Sequence, residues 1–388
     1  MDTTTKQTTE RNKHIFISAV DPSADAHCAG LIKAMHKKEP QTKFTGVGGA
    51  KMASAGCKLL EKTTDKSSMS YNSFAHIAHF YKLLRQIRRF FEDNPVDLVI
   101  VCDSPSFNFH VARAAKQAGI KTLFYVAPQL WAWGGWRIGK LRKCCDKLCC
   151  LLPFEQDWFV SRGVDAVFVG NPLFDDIDTD LRANIKDYTD FDPAKVRLAL
   201  MPGSRTAEIN TLWQPMQQVA VKIRQKYPQA EFVTVAADKD RVQTLKNNKI
   251  PGFDCDFSVD SVKKTACNVD FAIVASGSAT LEVAASGCPM VIMYQANRVL
   301  WHLLGRWLIK SKFLSLVNLL ADRELVPEFM PYFTSTEPIA RAVEQLLSNS
   351  RDLTHISTQL VEMVEPMAQK NAGEQTAQIA HTMLSRNP

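Results

Sequence analysis

The sequence predicts an α/β protein with two domains, and three observations support this. A chain of 388 residues is longer than one ordinary hydrophobic core supports. Short apolar runs alternate with amphipathic stretches in both halves, which is typical of a doubly wound parallel sheet. A polar, Asp-rich stretch at 171–195 separates the halves. We therefore expect two Rossmann-like domains that face a cleft, where ligands bind at the carboxyl ends of the strands.

The first half alternates regularly from residue 14 onward. Helical spacing of apolar residues marks two stretches, 25–38 and 109–119. Strands are predicted from short apolar runs at 14–20, 43–48, 97–103, 121–127, 147–152 and 166–169. Residues 1–13 are polar and are assigned to a disordered tail, and residues 14–175 form the predicted N-terminal domain.

The second half repeats this alternation after the Asp-rich stretch. Strands are predicted at 196–201, 231–236, 271–275 and 289–294, a helix at 212–226, and two helices within 337–384. The resulting organisation has a linker at 176–195, a C-terminal domain at 196–345 and C-terminal helices at 346–388.

Composition narrows the class of protein. Hydrophobic residues make up 46% of the chain and charged residues 22%, as in globular proteins. The net charge of +7 comes from 47 basic and 40 acidic residues that are interspersed, without the dense basic stripe of nucleic-acid-binding proteins. The polar start lacks the apolar core of a signal peptide, and no apolar run is long enough to span a membrane. We expect a cytoplasmic protein without a nucleic-acid partner.

Ten cysteines are scattered along the chain. In a cytoplasmic protein they are mostly free, buried thiols. Two adjacent pairs, Cys144 with Cys145 and Cys149 with Cys150, lack the CxxC spacing of a zinc site, and the second pair lies in a predicted strand. We therefore predict no metal site.

Two loops in the second half combine small residues with groups that can hold phosphate. Residues 201–205 (MPGSR) end a predicted strand, and Arg205 offers a fork that matches phosphate oxygens. Residues 275–282 (ASGSATLE) follow another strand and open a helix, where backbone N–H groups favour anions and Glu282 can accept hydrogen bonds from a ribose. The alternative is an ordinary capped helix and a solvated turn arginine. Together, the loops favour a nucleotide-diphosphate site, since neither a P-loop nor a GxGxxG motif is present.

Asp103 is the last residue of the predicted strand at 97–103. A carboxylate at the carboxyl end of a strand can deprotonate an attacking hydroxyl, as a general base does. The alternative is a turn acceptor, because Asp-Ser-Pro is also typical of turns. The residues alone leave both interpretations open.

The loop after the first strand, at 20–25 (VDPSAD), also has two interpretations. Ser23 and Asp25 can cap the following helix. Alternatively, they line the acceptor side of the cleft.

Two segments combine aromatic and basic residues, one at 74–91 and one at 299–313. Both are typical of interfacial helices, whose apolar side enters a membrane surface while the cations meet lipid phosphates. The alternative is a helix packed on the sheet with a basic outer edge. Two such segments in one chain indicate a lipid substrate or contact with a membrane surface.

Several blocks of the sequence resemble lipid-A-disaccharide synthases. Residues 125–133 (YVAPQLWAW) are similar to that family's YVSPSVWAW block. Further matching blocks are GVGGAKM at 46–52, LPFE at 152–155, MPGSR at 201–205 with Glu208, SGSATLE at 276–282, CPMV at 288–291, LVNLLA at 316–321 and ELVPE at 324–328. These blocks keep the family's order and spacing.

The resemblance implies a metal-independent, inverting glycosyltransferase of the GT-B architecture that needs no cofactor. Its donor would be UDP-2,3-diacylglucosamine and its acceptor 2,3-diacylglucosamine 1-phosphate. The products would be UDP and the β-1,6-linked disaccharide 1-phosphate of lipid A biosynthesis. It also implies peripheral contact with the inner face of the cytoplasmic membrane. The oligomeric state stays open, a homodimer included.

The resemblance also implies roles for individual residues. Asp103 stands at the position of the family's proposed general base, and Arg205 at the arginine assigned to the diphosphate. The other donor-side residues are Gly203, Ser204, Ser276, Gly277, Ser278, Ala279, Thr280, Glu282, Asn318 and Glu328. Ser23, Asp25 and Ser70 belong to the acceptor-side loops.

Differences from the family's pattern fall mainly in the first half. VDPSAD at 20–25 replaces GEASGD, so valine and alanine stand where glycine permits a positive φ, and the loop must differ. Ser70 and Ser73 replace a glycine and a glutamate, and Ser106 replaces an aspartate. Two alternatives therefore stay open. One is a relative, epimerases included, that acts on another UDP-amino sugar or acceptor; the other is a non-catalytic UDP- or lipid-binding paralogue.

Overall fold

The computed structural model of the protein describes residues 11–63, 73–175, 180–259, 261–298, 301–302 and 311–385, without the side chains of 73–77. The chain forms two compact units. Unit 1 comprises Met1–Asp176 and Met367–Pro388, and unit 2 comprises Ile177–Pro366. The last helix of the chain therefore belongs to unit 1, whereas most of the predicted linker at 176–195 belongs to unit 2.

Unit 1 is built on a seven-stranded parallel sheet with the strand order β3-β2-β1-β4-β5-β6-β7. The strands are β1 (His14–Ser18), β2 (Lys43–Gly48), β3 (Cys57–Lys62), β4 (Leu98–Cys102), β5 (Lys121–Tyr125), β6 (Lys147–Cys150) and β7 (Ala166–Phe168). The helices are α1 (Pro22–Lys38), α2 (Ala50–Ser54), α3 (Ser73–Asp93), α4 (Pro105–Gln117), α5 (Ile138–Cys144), α6 (Pro153–Val160) and, near the end of the chain, α14 (Ala372–Ser385).

Side chains alternate across this sheet and fill two apolar layers. Ile15 and Ile17 of β1 point into a layer that contains buried residues of α1 and α14. Phe16, between them, points into the other layer, which contains buried residues of α3, α4 and α5. The near-continuous apolar strands of the sequence reflect this burial on both faces.

The aromatic and basic segment at 74–91 lies within α3. Its apolar residues Leu83, Leu84 and Ile87 are buried in the second layer, beside Phe16. Its cations, Lys82, Arg85, Arg88 and Arg89, are exposed. The apolar side of this segment is therefore buried within the protein, and its basic side is exposed. Most of the second segment, at 299–313, lies outside the described residues.

Unit 2 is built on a six-stranded parallel sheet with the strand order β10-β9-β8-β11-β12-β13. The strands are β8 (Arg197–Met201), β9 (Glu231–Ala236), β10 (Asp256–Val259), β11 (Phe271–Ala275), β12 (Met290–Met293) and β13 (Glu328–Phe329). The helices are α7 (Thr206–Lys226), α8 (Lys239–Asn247), α9 (Val262–Cys267), α10 (Ala279–Ala285), α11 (Leu316–Ala321), α12 (Glu337–Leu347) and α13 (Ser350–Ala368).

The predicted α/β class with two parallel sheets is confirmed. The prediction of two helices within 337–384 is wrong, because three helices, α12, α13 and α14, occupy this region. Strands β3, β10 and β13 were missed. They are edge strands, and all three carry charged or half-buried side chains that break the apolar pattern. In the described part of the chain, every helix is too short or too polar to cross a lipid bilayer.

Candidate active site

Asp103 directly follows β4, at the carboxyl edge of the unit 1 sheet. Its φ is 54°, and the φ of Ser104 is 42°, so two successive non-glycine residues adopt the left-handed conformation. Each such residue costs about 1–3 kcal/mol unless its surroundings hold it. The turn leaves the Asp103 side chain exposed at the strand end. A cost of this kind is typical of sites where one side chain must be presented in one direction.

The side chain of Asn108, on α4, holds this turn. Its Nδ2 donates to the carbonyl oxygens of Cys102 at 2.9 Å and Asp103 at 2.7 Å. Its Oδ1 accepts a hydrogen bond from Ser18 Oγ, at the end of β1, at 2.6 Å. Asn108 and Ser18 are both fully buried. The amide therefore fixes the backbone of Asp103 against two neighbouring strands.

Further contacts tie the ends of β1, β4 and β5 together. Ser104 Oγ donates a hydrogen bond to the carboxylate of Asp21, which precedes α1. The Asp103 amide donates to the carbonyl oxygen of Tyr125 at 3.3 Å. The next residue, Val126, has a φ of 70°, which is an outlier for a β-branched side chain. Backbone strain is thus concentrated at two adjacent strand ends.

The predicted acceptor-side residues lie in different surroundings. Asp25 is 4% exposed, and its carboxylate accepts hydrogen bonds from the backbone amides of Gly49 at 2.7 Å, Lys51 at 3.0 Å and Met52 at 3.0 Å. This carboxylate therefore caps α2, not the helix that contains it. Its oxygens are directed towards backbone amides of the protein. Ser23 is exposed at the start of α1, and Ser70 lies outside the described residues.

The altered loop at 20–25 needs no positive φ. Neither Val20 nor Ala24 adopts one, because α1 begins at Pro22 and already includes Ala24. Proline at the first helical position has the backbone angle that a helix requires. Val20 and Ala24 thus adopt backbone conformations that their side chains allow.

A buried carboxylate connects the loops after β5 and β6. Glu155 Oε1 accepts a hydrogen bond from Trp131 Nε1 at 2.9 Å, and its Oε2 accepts from the amides of Leu151 and Leu152, both at 3.1 Å. Glu155 is 2% exposed, and this burial raises its pKa to about 7 in spite of the three donors. The hydrogen bond to Trp131 holds the start of the Trp-rich segment that follows Tyr125.

In unit 2, the loop after β8 is shaped by Glu208 on α7. Glu208 Oε2 accepts hydrogen bonds from the amides of Ser204 and Arg205, both at 3.2 Å. Gly203 has a φ of 95°, and a Cβ there would lie 2.4 Å from that oxygen. Arg205 Nη1 lies 3.2 Å from Glu208 Oε1, with the arginine side chain 84% exposed. An exposed pair of this kind is weak, so the guanidinium can turn to an incoming anion.

The second predicted phosphate loop follows β11. Thr280 is buried, and its Oγ1 donates to the carbonyl oxygen of Gly277 at 2.7 Å, so it shapes the turn. Gly277 and Ser278 are exposed, and within the described ranges their backbone amides have no acceptor. Ala279 begins α10, and Glu282 is half-buried on that helix. The exposed amides are the groups available to a ligand here.

Asn318 and Glu328 are joined directly. Asn318 Nδ2 donates to Glu328 Oε2 at 3.0 Å and to the carbonyl oxygen of Val326 at 2.8 Å. Its Oδ1 accepts from the amides of Leu325 and Val326. Asn318 is fully buried, so its amide is occupied by protein groups. Its observed function is to hold the segment that leads into β13.

The sheet order decides which predicted residues are neighbours. Strands β8 and β11 are adjacent, so the loops 202–205 and 276–279 lie side by side at the carboxyl edge of unit 2. Glu328 begins β13, which is separated from β11 by β12. Asp103 lies in the other unit, unit 1, where it directly follows strand β4.

Sequence reasoning missed Asn108, Ser18 and Glu155. The available signal for Asn108 was a polar residue on the apolar face of α4, between Phe107 and Val111, because a buried amide needs several partners. Glu155 was noted only as part of a matching block. Its contact with Trp131 joins residues 24 positions apart, which no local pattern reveals.

Known proteins resemble this chain along nearly its whole length. The family model described as lipid-A-disaccharide synthetase matches residues 15–383. The lipid-A-disaccharide synthase of Geobacter metallireducens is 30% identical over 384 residues, which is 97% of this chain and 99% of that protein. The enzyme of the same name from Coxiella burnetii is 32% identical over 382 residues, 96% and 99% of the two chains.

Solved structures support the fold independently. The S. aureus MnaA–UDP structure has a TM-score of 0.62 at 13% identity, over 97% of this chain and 99% of that one. The calicheamicin glycosyltransferase CalG4 has a TM-score of 0.61 at 14% identity, with the same coverage. At such identities the likeness concerns the fold alone. The family match over residues 15–383, however, is a match in sequence, and this chain belongs to the lipid-A-disaccharide synthetase family.

Proposed function

We propose that this protein transfers the sugar of UDP-2,3-diacylglucosamine to 2,3-diacylglucosamine 1-phosphate, forming UDP and the lipid A disaccharide 1-phosphate. The family match over nearly the full chain carries this proposal. The backbone geometry at Asp103 supports it, because the family's proposed general base occupies this position. Unit 1 would take the acceptor and unit 2 the UDP-sugar donor.

Asp103 would act as the general base. The carboxylate accepts the proton of the acceptor's 6-hydroxyl while that oxygen attacks the anomeric carbon of the donor. Attack from the face opposite to UDP inverts the configuration and gives the β-linkage. The strained turn at Asp103 and Ser104 supports this role, since a base must be aimed before the substrate arrives.

The departing UDP would be stabilised in unit 2. Its diphosphate gains negative charge as the glycosidic bond breaks, so donors placed beforehand lower the barrier. Arg205 can supply a bidentate guanidinium, and Gly277 and Ser278 can supply exposed backbone amides. The two loops lie side by side, as one diphosphate would require.

The test is product formation by purified protein with both proposed substrates, using Asp103→Asn and Asp97→Asn as matched variants. Asp97 precedes the opposite end of the same strand, where it accepts a hydrogen bond from the His14 amide at 2.7 Å. We expect disaccharide formation by the wild type and Asp97→Asn, and a loss of 10²-fold or more in Asp103→Asn, a typical value for a general base. If the wild type binds UDP but forms no disaccharide, the proposed reaction is wrong.

We also propose that α3 brings the protein to the inner face of the cytoplasmic membrane. Lys82, Arg85, Arg88 and Arg89 are exposed along this helix, beside Tyr81, which is 70% exposed. Each cation near an anionic surface contributes about 1 kcal/mol. Sedimentation with phosphatidylglycerol vesicles should show binding that falls when these four cations are replaced by glutamine. Equal binding of both proteins would contradict the proposal.

A further inference from the structure

The loop between β5 and α5 holds an arginine in an unusual arrangement. Arg137 lies with its Cζ 4.3 Å from the centre of the Trp133 ring and 5.9 Å from that of Trp136. Gly134 has a φ of 78°, and a Cβ there would lie 2.8 Å from both Nε and Nη2 of Arg137. Glycine thus makes room for the guanidinium, which packs between the Gly134 backbone and the Trp133 ring.

This guanidinium has no carboxylate partner among the described residues. Arg182 and Arg341, by contrast, each lie within 3.3 Å of a glutamate. Arg137 Nε is also buried, and within the described ranges it has no hydrogen-bond acceptor. A cation fixed by stacking but without a counter-charge is prepared to bind an anion, because little side-chain entropy remains to be lost.

The position of the loop suggests what the anion is. Arg137 follows β5, so it lies at the same carboxyl edge of the unit 1 sheet as Asp103. Glu155 fixes the loop through Trp131, and the Asp103 amide contacts Tyr125 at its start. Exposed cations on α5, namely Lys140, Arg142 and Lys143, make the surroundings positive. A negatively charged part of the acceptor would be attracted here.

We propose that Arg137, Trp133 and Trp136 form a binding site for a sugar phosphate monoester, which rests on the proposed function and takes the acceptor's 1-phosphate. The guanidinium donates two parallel hydrogen bonds to phosphate oxygens. Trp133 and Trp136 are 45% and 68% exposed, so their rings can pack against the carbon face of the sugar. The site holds the acceptor at the sheet edge that carries Asp103.

The experiment is a titration of the full-length protein with glucosamine 1-phosphate, followed by intrinsic tryptophan fluorescence. Glucosamine without phosphate serves as the ligand control. Arg162→Gln is the matched variant, because Arg162 also stacks on a tryptophan, Trp158, at 4.1 Å, but has a carbonyl acceptor at 2.9 Å. We expect wild type and Arg162→Gln to bind glucosamine 1-phosphate equally and at least ten-fold more tightly than glucosamine.

Arg137→Gln should abolish this preference for the phosphate. Arg137→Lys keeps the positive charge without the guanidinium fork and should retain part of the preference for the phosphate. A graded loss from arginine to lysine to glutamine would show that misfolding of Arg137→Gln is not the cause. Gly134→Ala should also weaken binding, since its Cβ displaces the guanidinium. Unchanged affinity in Arg137→Gln, or no measurable binding by the wild type, would overturn the proposal.

Vesicle binding and disaccharide formation distinguish this proposal from a lipid-headgroup site and from the proposed reaction. If Arg137→Gln loses binding to phosphatidylglycerol vesicles but keeps glucosamine 1-phosphate affinity, the ligand is a lipid headgroup and the proposal fails. If the wild type forms no disaccharide yet its glucosamine 1-phosphate affinity depends on Arg137, the proposed reaction fails and the phosphate site stands. Turnover with an acceptor KM that is unchanged in Arg137→Gln contradicts only the phosphate site.

Discussion

Asn108 Nδ2 lies 2.7 Å from the carbonyl oxygen of Asp103, and this hydrogen bond supports a residue whose φ is 54°. The same amide accepts from Ser18, so the end of β1 is fixed along with the end of β4. A buried amide with partners on both strands gives the proposed base a single backbone position. The direction of the Asp103 side chain would therefore depend on Asn108, a residue that touches no substrate.

Replacing Asn108 with alanine should lower kcat by about 10-fold or more, because misplacement of a catalytic group by 1 Å can cost 10²-fold. The KM for the donor should stay unchanged, since unit 2 is untouched. Stability should fall by about 1–3 kcal/mol as buried partners lose hydrogen bonds. Steady-state kinetics and urea unfolding measure the two effects separately.

The matched control is Asn94→Ala. Asn94 directly follows α3, and its Nδ2 donates to the carbonyl oxygen of Phe90 in that helix at 3.0 Å. This variant should lose some stability with kcat unchanged. A positioning role for Asn108 is refuted if both variants reduce kcat only in proportion to their unfolded fraction.

Gly203→Ala should distort the loop after β8, where we propose that UDP binds. Its Cβ would lie 2.4 Å from Glu208 Oε2 and 2.9 Å from Glu208 Cβ, so the glutamate that holds the Ser204 and Arg205 amides must move. We expect UDP affinity to fall at least 10-fold, as measured by calorimetry. Gly252→Ala is the control, since Gly252 has a φ of 80° but nothing within 4 Å of its Cβ position. That variant should lose about 1–2 kcal/mol of stability through backbone strain alone, with unchanged UDP affinity.

The sequence predicted the positions of the two candidate phosphate loops because its signals are local. Strands β8 and β11 are apolar runs followed by small residues, and a parallel sheet brings such strand ends to one edge. The loops 202–205 and 276–279 were therefore predictable from spacing alone.

Residues whose function depends on distant partners could not be predicted in this way. Asn318 was placed among the donor-side residues, but its amide is occupied by the segment before β13. Asp25 was interpreted as a cap of α1 or as a loop residue, whereas it caps α2, whose amides lie 24–27 positions further along the chain. The Asp25 contacts are set by the packing of β1 beside β2 in the complete sheet. The Asn318 contacts are set by the fold of the segment between α11 and β13.

The stability of unit 1 should respond to pH through Glu155. Burial raises the pKa of this carboxyl from its ordinary value of 4.5 to about 7. Between these values the folded state keeps a proton that the unfolded state releases, so raising the pH lowers the free energy of unfolding, by about 3 kcal/mol in total. Glu155→Gln cannot titrate. The stability of wild type relative to this variant should therefore fall from pH 4.5 to 7.5, as measured by urea unfolding.

His27 should act in the opposite direction. Burial, with a smaller contribution from Lys51, lowers its pKa from 6.5 to about 4. Between these values the unfolded state binds a proton that the folded state does not, so stability rises with pH. Wild type relative to His27→Gln should therefore become more stable from pH 4 to 6.5. The two differences in stability, wild type minus Glu155→Gln and wild type minus His27→Gln, should change with pH in opposite directions. A change in the same direction would contradict the pKa shifts assigned to these two residues.

Asp25 should matter for folding more than for chemistry. Its buried carboxylate accepts three backbone hydrogen bonds at the start of α2, and alanine would leave these donors unpaired. We expect Asp25→Ala to lower stability by about 2–4 kcal/mol, which combines the loss of a cap with buried unsatisfied donors. Asp238→Ala is the comparison, because Asp238 caps α8 through one exposed hydrogen bond to the Arg241 amide at 2.7 Å. It should cost about 0.5–2 kcal/mol. If Asp25→Ala keeps wild-type stability in urea but loses acceptor binding, Asp25 belongs to the acceptor site after all.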